Sequence, residues 1–516
     1  MTLRNKGNVS VRKARSLPAK AAFFARFAGL GAFAAAGQAP LGWWWLSLLA
    51  LSLLWAALPR EGARPAIWGW AMLAAGTGYF GAALFWIVEP FFIEPEIHGW
   101  MAPFALVLMA AGMGLFWGLA GVVAAALAEG RVRLLALVAT MVGAELLRGW
   151  VFTGFPWAMI GHGLVGTPVM QFAAVLGAAG LSLLILLAAA LPWLAGTVQG
   201  RALGIGCSVL MLVLVWIWGN QQTDLPPPRE QIVRLAQPNA PQDEKWLDEN
   251  LFRFFNRLLD QTEADADPAP DLVLWPETAV PFLLEYPGDG LHMMAAAAAV
   301  HGPDTLLAFG VQRQEAGRFF NSLAVMTTHA EVTHVYDKHH LVPFGEYIPF
   351  SEWLMGTPIG GLAGPALRGY TAGPGPVTLD LGPLGRVIPL ICYESIFARH
   401  LRQTERPDWI LQATNDAWFG ELTGPFQHLA QARLRAVEQG LPVLRVANTG
   451  VSAIIDARGG IVAYLPLGET GFLDGAIPGA LAPQLYALWG DWPVIGLIML
   501  LGVGARGSGR FTRRRY

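Results

Sequence analysis

The hydrophobic positions of this chain follow two different patterns. Between residues 21 and 220, apolar residues continue for nearly a bilayer thickness at a time, and only 13 charged residues interrupt them. Such runs are typical of membrane-spanning helices, which need about 20 predominantly apolar residues each. We therefore expect seven spans in this block and an eighth near the C-terminus. Their predicted bounds are about Ala21–Ala36, Leu41–Leu58, Pro65–Val88, Met101–Leu127, Leu134–Leu147, Val169–Leu194, Leu203–Trp218 and Tyr486–Val503.

Charged residues in the loops orient these spans. Loops on one side carry arginines such as Arg64 and Arg131, whereas the opposite loop, residues 89–98, holds three glutamates and no Lys or Arg. By the positive-inside rule both termini face the cytoplasm, and the segment after the seventh span lies on the outer face. Arg148, on the outer side, is the exception. With Glu145 one turn earlier, it predicts either an ion pair or a contact to a lipid headgroup.

The second pattern begins after the proline-rich linker Thr223–Pro228. Short β-rich runs alternate there with amphipathic stretches, which is typical of an α/β domain with a sheet core and helices outside. The predicted strands are Gln231–Gln237, Asp271–Trp275, Thr305–Arg313, Phe320–Thr328, Arg386–Ile391, Trp409–Ala413 and Leu441–Ala447, with a hairpin over 451–464. The predicted helices are Lys245–Glu263, Asp289–His301 and Gln427–Gln439. The chain thus divides into a basic tail (1–20), a membrane block (21–220), a globular domain (221–483), a last span (484–505) and a second basic tail (506–516).

Composition narrows the classes of function. Of the 516 residues, 54% are hydrophobic and 14% charged, against about 25% charged in an average soluble domain. The net charge of −2 gives no reason to expect a nucleic-acid partner. The two cysteines, Cys207 and Cys392, predict no disulfide framework, and no Cys/His spacing predicts a metal or another cofactor. The adjacent His339 and His340 lack further ligands, and we interpret them as structural.

Three segments carry candidate chemistry. Cys392 ends the strand-like run Ile388–Ile391, where helix N–H dipoles favour a thiolate that attacks carbonyl carbon. Glu277 ends another hydrophobic strand, and partial desolvation at a sheet edge would make it a usable base. Lys338 precedes a Pro/Gly loop that contains Glu346, and its ammonium would stabilise an oxyanion. Each segment alone also fits an ordinary role, as a buried cysteine or a surface charge. Together, in this order, they are a specific signal.

These motifs resemble those of a known superfamily. The segments Trp-Pro-Glu ending at Glu277, Asp-Lys-x-x-Leu-Val-Pro-Phe-Gly-Glu around Lys338 and Cys-Tyr-Glu beginning at Cys392 are similar to the triad segments of the nitrilase, or carbon–nitrogen hydrolase, superfamily. With the predicted spans before and after the domain, nearly the whole chain resembles the apolipoprotein N-acyltransferases. The resemblance implies an αββα sandwich beside a polytopic helical bundle. It also implies that Glu277 is the general base, Lys338 the oxyanion stabiliser and Cys392 the nucleophile.

The same resemblance implies a set of supporting residues. Glu346, Glu394 and Tyr393 match supporting groups around the triad. Residues at the mouth and walls of the site would be Trp246, Asn321, Asn415, Trp418 and Glu438. For these last five, ordinary folding roles stay open. The Gly/Pro-rich stretch 356–376 is the candidate lid that limits access of water.

The activity implied is a two-step acyl transfer at a bacterial inner membrane, with the catalytic domain in the periplasm. Cys392 would take the sn-1 acyl chain of a phospholipid, with phosphatidylethanolamine the expected donor. The free α-amine of a diacylglyceryl-cysteine, the first residue of an apolipoprotein, would then discharge the thioester. The resemblance therefore implies lipid and lipoprotein partners, a bilayer setting, no cofactor and a monomer.

Two other classes of function compete with this interpretation. A membrane-tethered amidase would hydrolyse a small amide with the same triad, and it would have no need of eight spans. A transporter or scaffold would have lost catalysis. The intact Glu277, Lys338 and Cys392 argue against that reading, and so do the few ionisable residues in the predicted spans.

Overall fold

The computed structural model describes residues 17–59, 63–349 and 369–513. In the N-terminal part, the long apolar runs form helices, because an α-helix satisfies its own backbone hydrogen bonds where water is excluded. These helices are α1 (Leu17–Ala34), α2 (Trp44–Ala57), α3 (Pro65–Ala83), the short α4 (Pro95–His98), α5 (Ala102–Leu127), α6 (Arg133–Arg148), α7 (Ala173–Leu194) and α8 (Val198–Asn220).

Within the described residues, four stretches are long and apolar enough to cross a membrane: Pro18–Gly37, Pro95–Leu127, Pro168–Leu194 and Val198–Asn220. A fifth is a pair bent by 49°, in which α3 ends at Ala83 and a 3-10 helix, Phe85–Phe92, follows. The predicted third span, Pro65–Val88, corresponds to this bent pair of helices. Each predicted span overlaps a helix of the structure, and the last one, Tyr486–Val503, runs across a break between Trp489 and Trp492. The total of eight crossings stays a prediction.

The globular part contains two six-stranded sheets. The first has the order β12-β1-β2-β3-β4-β5, and the second has the order β11-β10-β9-β8-β7-β6. Strands β1, β2 and β3 are parallel, as are β7, β8 and β9. The strands are β1 (Ile232–Gln237), β2 (Leu272–Leu274), β3 (Leu306–Glu315), β4 (Arg318–Met326), β5 (Val332–Asp337), β6 (Leu379–Asp380), β7 (Arg386–Ile391), β8 (Trp409–Thr414), β9 (Val443–Ala447), β10 (Ser452–Ile455), β11 (Ile461–Leu465) and β12 (Gly471–Ala476).

The sheets pack face to face and helices cover their outer faces. Leu235 and Leu274 of the first sheet share a buried core with Leu411 and Val446 of the second. The remaining helices are α9 (Leu251–Glu263), α10 (Gly290–Ala299), α11 (Gly424–Gln439), α12 (Leu485–Trp489) and α13 (Trp492–Arg513). Helices α9 and α10 cover the first sheet, and α11 covers the second. The expected αββα sandwich is confirmed.

The sandwich rests on the helical bundle through residues close to Cys392. Tyr393, Ile396 and Phe397 are buried in the same hydrophobic core as the bundle helices, together with Val437 of α11. On α11, Gln427 donates to the Ala83 carbonyl at 2.9 Å and accepts from the indole nitrogen of Trp157 at 2.7 Å. The nucleophile segment is therefore built partly from the packing between the two halves of the molecule.

The structure corrects the start of one predicted helix and describes only part of the candidate lid. The predicted helix Lys245–Glu263 is wrong at its start, because α9 begins at Leu251 and Trp246 lies in the turns before it. Lys245 instead reaches the turn after β2, where its Nζ donates to the Thr278 hydroxyl at 3.1 Å. Of the candidate lid, residues 356–368 lie outside the described residues.

Candidate active site

The carboxylate of Glu277 is fixed by donors from three different elements. It follows β2 by three residues and is 6% exposed. Its Oε1 accepts from Asn321 Nδ2 on β4 at 2.8 Å and from Lys338 Nζ at 3.3 Å. Its Oε2 accepts from the backbone N–H of Asn415, just after β8, at 2.9 Å. These three bonds orient the carboxylate while leaving it in the buried cleft between the sheets.

Lys338 is a buried cation held between two carboxylates. It follows β5 directly, and its Nζ donates to Glu346 Oε1 at 2.8 Å as well as to Glu277. Burial by itself lowers the pKa of Lys338, but the charges of Glu346 and Glu277 outweigh it and raise the pKa well above its ordinary value. The side chain therefore stays an ammonium at the pH values where proteins are stable.

Cys392 follows β7 and begins a short 3-10 turn, Cys392–Ile396. Its φ of +50° is unusual for a residue with a Cβ and marks local strain of the kind found at active sites. Burial, followed by the charge of Glu277, raises the pKa of the thiol, while Lys338 and a hydrogen bond with Thr414 act in the opposite direction. The resting group is therefore an uncharged thiol, and the charges of Glu277 and Lys338 both influence its pKa.

The carboxylate of Glu394 ties the nucleophile turn to the segment after Lys338. It accepts from the backbone N–H groups of Ile391, His339 and His340 at 2.8, 2.8 and 3.1 Å. The Tyr336 hydroxyl donates to it at 2.8 Å. Although burial raises the pKa of Glu394, His339, the Ile391 N–H and the charge of Lys338 outweigh it and lower the pKa below its usual range. Glu394 thus fixes Cys392 relative to Lys338.

A buried histidine behind the turn was missed from the sequence. His428 of α11 is fully buried, and its Nδ1 lies 2.9 Å from Asp416 Oδ1. Its Nε2 lies 2.9 Å from the Ser395 hydroxyl and 3.0 Å from the Gln412 amide nitrogen. Its Nε2 also lies 3.2 Å from the Cys392 carbonyl. Burial and then Arg445 lower the pKa of His428. A lone histidine in a helix gives no sequence signal for this role.

The structure brings three of the predicted supporting residues into the same cluster. Asn321 Nδ2 bridges Glu277 and Glu346, at 2.8 and 3.0 Å. Besides its backbone contact to Glu277, Asn415 accepts from Asn448 at 2.9 Å. Asn321, Glu346 and Asn415 therefore lie directly around the proposed base and cation.

Apart from Glu394 in the nucleophile turn, the other four predicted residues lie outside this cluster. Tyr393 turns toward the bundle and donates to the Gly154 carbonyl at 2.9 Å. Trp246 and Trp418 are 41% and 40% exposed, so they lie at the surface. Glu438 is not brought to the triad: its Oε1 accepts from Ala178 N of α7 at 3.0 Å, and it pairs with Arg435 at 2.8 Å.

The part of the chain that the structure describes contains no group of three His, Cys, Asp or Glu side chains able to hold a metal ion. His339 lies 2.7 Å from Glu394, and burial lowers the pKa of His340 to about 4. Both histidines thus belong to the framework behind the nucleophile turn. The chemistry available is that of a thiol, a carboxylate and an ammonium that are all buried and act on one another electrostatically.

Comparisons with known proteins match both halves of the chain. The family profile described as apolipoprotein N-acyltransferase N-terminal domain matches residues 30–191, and the one described as carbon-nitrogen hydrolase matches residues 233–485. The apolipoprotein N-acyltransferase of Sinorhizobium fredii is 38% identical over 427 residues, covering 80% of this chain and 79% of its own. That of Rhizobium rhizogenes is 35% identical over 509 residues, covering 92% and 94%. That of Caulobacter vibrioides is 38% identical over 460 residues, covering 85% of each.

Proposed function

Because this chain belongs to the apolipoprotein N-acyltransferase family, we propose that it moves a fatty-acyl chain from a membrane phospholipid to the N-terminal amine of diacylated lipoproteins. The chain is thus an acyltransferase of lipoprotein biosynthesis with a carbon–nitrogen hydrolase domain. The observation that supports the mechanism is that Glu277, Lys338 and Cys392 are all buried, that Lys338 donates to Glu277 at 3.3 Å, and that the charges of both act on the Cys392 thiol.

In the first step, the Cys392 sulfur attacks the carbonyl carbon of the sn-1 ester. Glu277 accepts the thiol proton, which matters because the buried thiol is uncharged at rest. Lys338, held as an ammonium, stabilises the oxyanion of the tetrahedral intermediate. The ester C–O bond then breaks, and the proton passes from Glu277 to the leaving lysophospholipid oxygen. A thioester on Cys392 remains.

In the second step, the free α-amine of the acceptor's diacylglyceryl-cysteine attacks the thioester carbonyl. A C–N bond forms and the C–S bond breaks, while Glu277 accepts a proton from the attacking amine and returns it to the sulfur. Asn321, Glu346 and Asn415 hold Glu277 and Lys338 in position during both steps. Cys392 is only 5% exposed, which limits the access of water to the thioester.

The setting follows from the substrates. Both are held in a bilayer, and the contact of Tyr393 with Gly154 places the residue after the nucleophile on the helical block. We further propose an inner-membrane monomer with eight spans, a periplasmic domain over 221–483, phosphatidylethanolamine as donor and no cofactor. The pairing of arginine-rich and acidic loops supports the orientation.

Product analysis tests donor, position and acceptor together. The purified protein is given phosphatidylethanolamine with a ¹³C-labelled chain at sn-1 and an unlabelled chain at sn-2, together with a synthetic diacylated lipopeptide. We expect the label on the peptide's N-terminal nitrogen and an unlabelled lysophospholipid. Label released only as free fatty acid, or amide hydrolysis without lipopeptide acylation, would support a tethered hydrolase instead.

A further inference from the structure

The helical block carries an apolar groove that the acyl-transfer mechanism does not use. Helix α13, which follows the catalytic domain, lies along α6 and leaves a cavity of about 410 Å³ between itself and α5. Its walls include Phe116, Val123, Leu147 and Val503, and Arg506 lies among its lining residues. We refer to it as the α5–α13 groove. None of its lining residues belongs to the αββα sandwich, so it is separate from the Cys392 cleft.

The lining of the groove is apolar except for Thr140 and one charged residue, Arg506. No carboxylate lines it, and its one hydroxyl, Thr140 Oγ1, already donates to the Ala120 carbonyl at 3.0 Å. Val123 and Val503 are 37% and 69% exposed on the outer surface of the bundle. In a bilayer this surface faces acyl chains. The single charge, Arg506, comes near the end of α13, where a long side chain reaches the headgroup region.

Two glycines, Gly143 and Gly502, leave open space in the groove because they carry no side chain. A Cβ added at Gly502 would meet no atom within 4 Å, and one at Gly143 would meet only Ile498, at 3.7 Å. Both glycines line the groove. A larger residue at 502 would therefore enter the groove without displacing the backbone of a neighbouring helix.

We propose that the α5–α13 groove binds one phospholipid that is not the acyl donor, with a chain along its apolar wall and its phosphate on Arg506. An apolar slot with a guanidinium at one end matches an acyl chain joined to a phosphate, which arginine binds by charge-assisted hydrogen bonds. The volume falls within the range of small-ligand sites, about 300–1,000 Å³. A transmembrane helix, about 10–12 Å across, would need more room. The bound lipid joins the last helix to the N-terminal block.

Native mass spectrometry of the full-length protein in detergent tests this site. The Cys392→Ala background prevents turnover, and the added probe is 1-palmitoyl-2-oleoyl-phosphatidylglycerol. Gly502→Leu fills the groove. Its control is Gly496→Leu on the same helix, where an added Cβ also meets nothing within 4 Å and which does not line the groove. Unfolding temperatures of both variants confirm that each is folded.

We expect one tightly retained lipid in the background protein and in Gly496→Leu. Its apparent affinity should fall about tenfold or more in Gly502→Leu, which corresponds to about 1.4 kcal/mol. Arg506→Gln should lose the preference for phosphatidylglycerol over a neutral diacylglycerol. Equal retention in Gly502→Leu and Gly496→Leu would overturn the proposal. A dimer that dissociates in Gly502→Leu would also overturn it, since a second copy would then cover the groove.

Discussion

The Lys338 ammonium has two carboxylate partners, and the closer one is not the proposed base. Glu346 lies 2.8 Å from Nζ, whereas Glu277 lies 3.3 Å away. Glu346 thus carries much of the ion pairing and leaves Glu277 free to accept a proton. In Glu346→Gln, we expect Lys338 to pair more closely with Glu277 and thioester formation to slow about 10²-fold. Single-turnover acylation by phospholipid measures this rate.

The matched control is Glu315→Gln, at a side chain that is 60% exposed and paired with Arg313. It should leave the rate unchanged. If Glu346→Gln acylates within twofold of the wild type, Glu346 has no part in setting the charge of the site.

His428 provides a second prediction at the scale of single residues. Its Nε2 contacts the Ser395 hydroxyl, within the strained turn that carries Cys392, and Asp416 fixes the orientation of the ring. We expect His428→Leu to misplace the sulfur and to lower kcat by about 10²-fold with the KM for phospholipid unchanged. His428→Gln keeps an acceptor and should recover part of the loss. A change confined to KM, or no recovery in the glutamine variant, would contradict this positioning role.

Glu438 should make stability depend on pH. Burial raises its pKa to about 7 from an ordinary value of 4.5, against the pull of Arg435. Between these two values the folded state holds a proton that the unfolded state releases, so stability falls as the pH rises through this window. Glu438→Gln removes the titrating group. Thermal unfolding between about pH 5 and 8 should show a smaller decline for this variant, and an equal decline would refute the assignment.

At the scale of elements, the sequence predicts well the strands that lead to the site. The hydrophobic runs before Glu277 and Cys392 form β2 and β7, because apolar runs bounded by polar residues are typical of buried strands. The start of α9 could not be predicted, because Trp246 fits the helical period while Lys245 is held by Thr278, in the turn after β2. Contacts between distant segments decide such boundaries.

The same limit applies to the roles of individual side chains. A resemblance indicated the triad segments, and the structure adds that Asn321 bridges two carboxylates. The role of His428 could not be predicted from the sequence, because it depends on the packing of α11 against β7 and β8. Glu438 could not be placed by pattern, since only the docking of α11 on α7 shows that it faces the bundle.

At the scale of the whole molecule, Gln427 joins the two halves. Its amide donates to the Ala83 carbonyl and accepts from the indoles of Trp157 and Trp86, at 2.7 and 3.3 Å. Gln427→Leu would leave these buried groups without partners, at a cost of about 2–4 kcal/mol. We expect a lower unfolding temperature in detergent and slower acylation, because the nucleophile segment packs against the same interface.

Gln403→Leu is the control for this prediction, because Gln403 is exposed on the catalytic domain. It should match the wild type in both measurements. If Gln427→Leu melts earlier but acylates at the normal rate, the interface stabilises the fold without positioning Cys392.

The division into an apolar block and an α/β sandwich follows from the two hydrophobic patterns. The path of the chain within the apolar block does not, since its axis bends by 49° after Ala83 and α6 carries Arg133, Glu145 and Arg148. In the structure, Glu145 accepts from the Ile160 N–H and Arg148 donates to the Trp157 carbonyl, so each has a partner in the loop that meets the catalytic domain. Such pairing cannot be deduced from hydropathy.

The most direct test of the acyl-enzyme is the intact mass of the protein after incubation with phosphatidylethanolamine and no acceptor. We expect the wild type to gain the mass of one fatty-acyl group, hydroxylamine to remove it, and a diacylated lipopeptide to discharge it. Cys392→Ser should show no hydroxylamine-labile gain, because an oxygen ester resists that treatment. A wild-type protein that transfers acyl chains without ever carrying this adduct would contradict a thioester on Cys392.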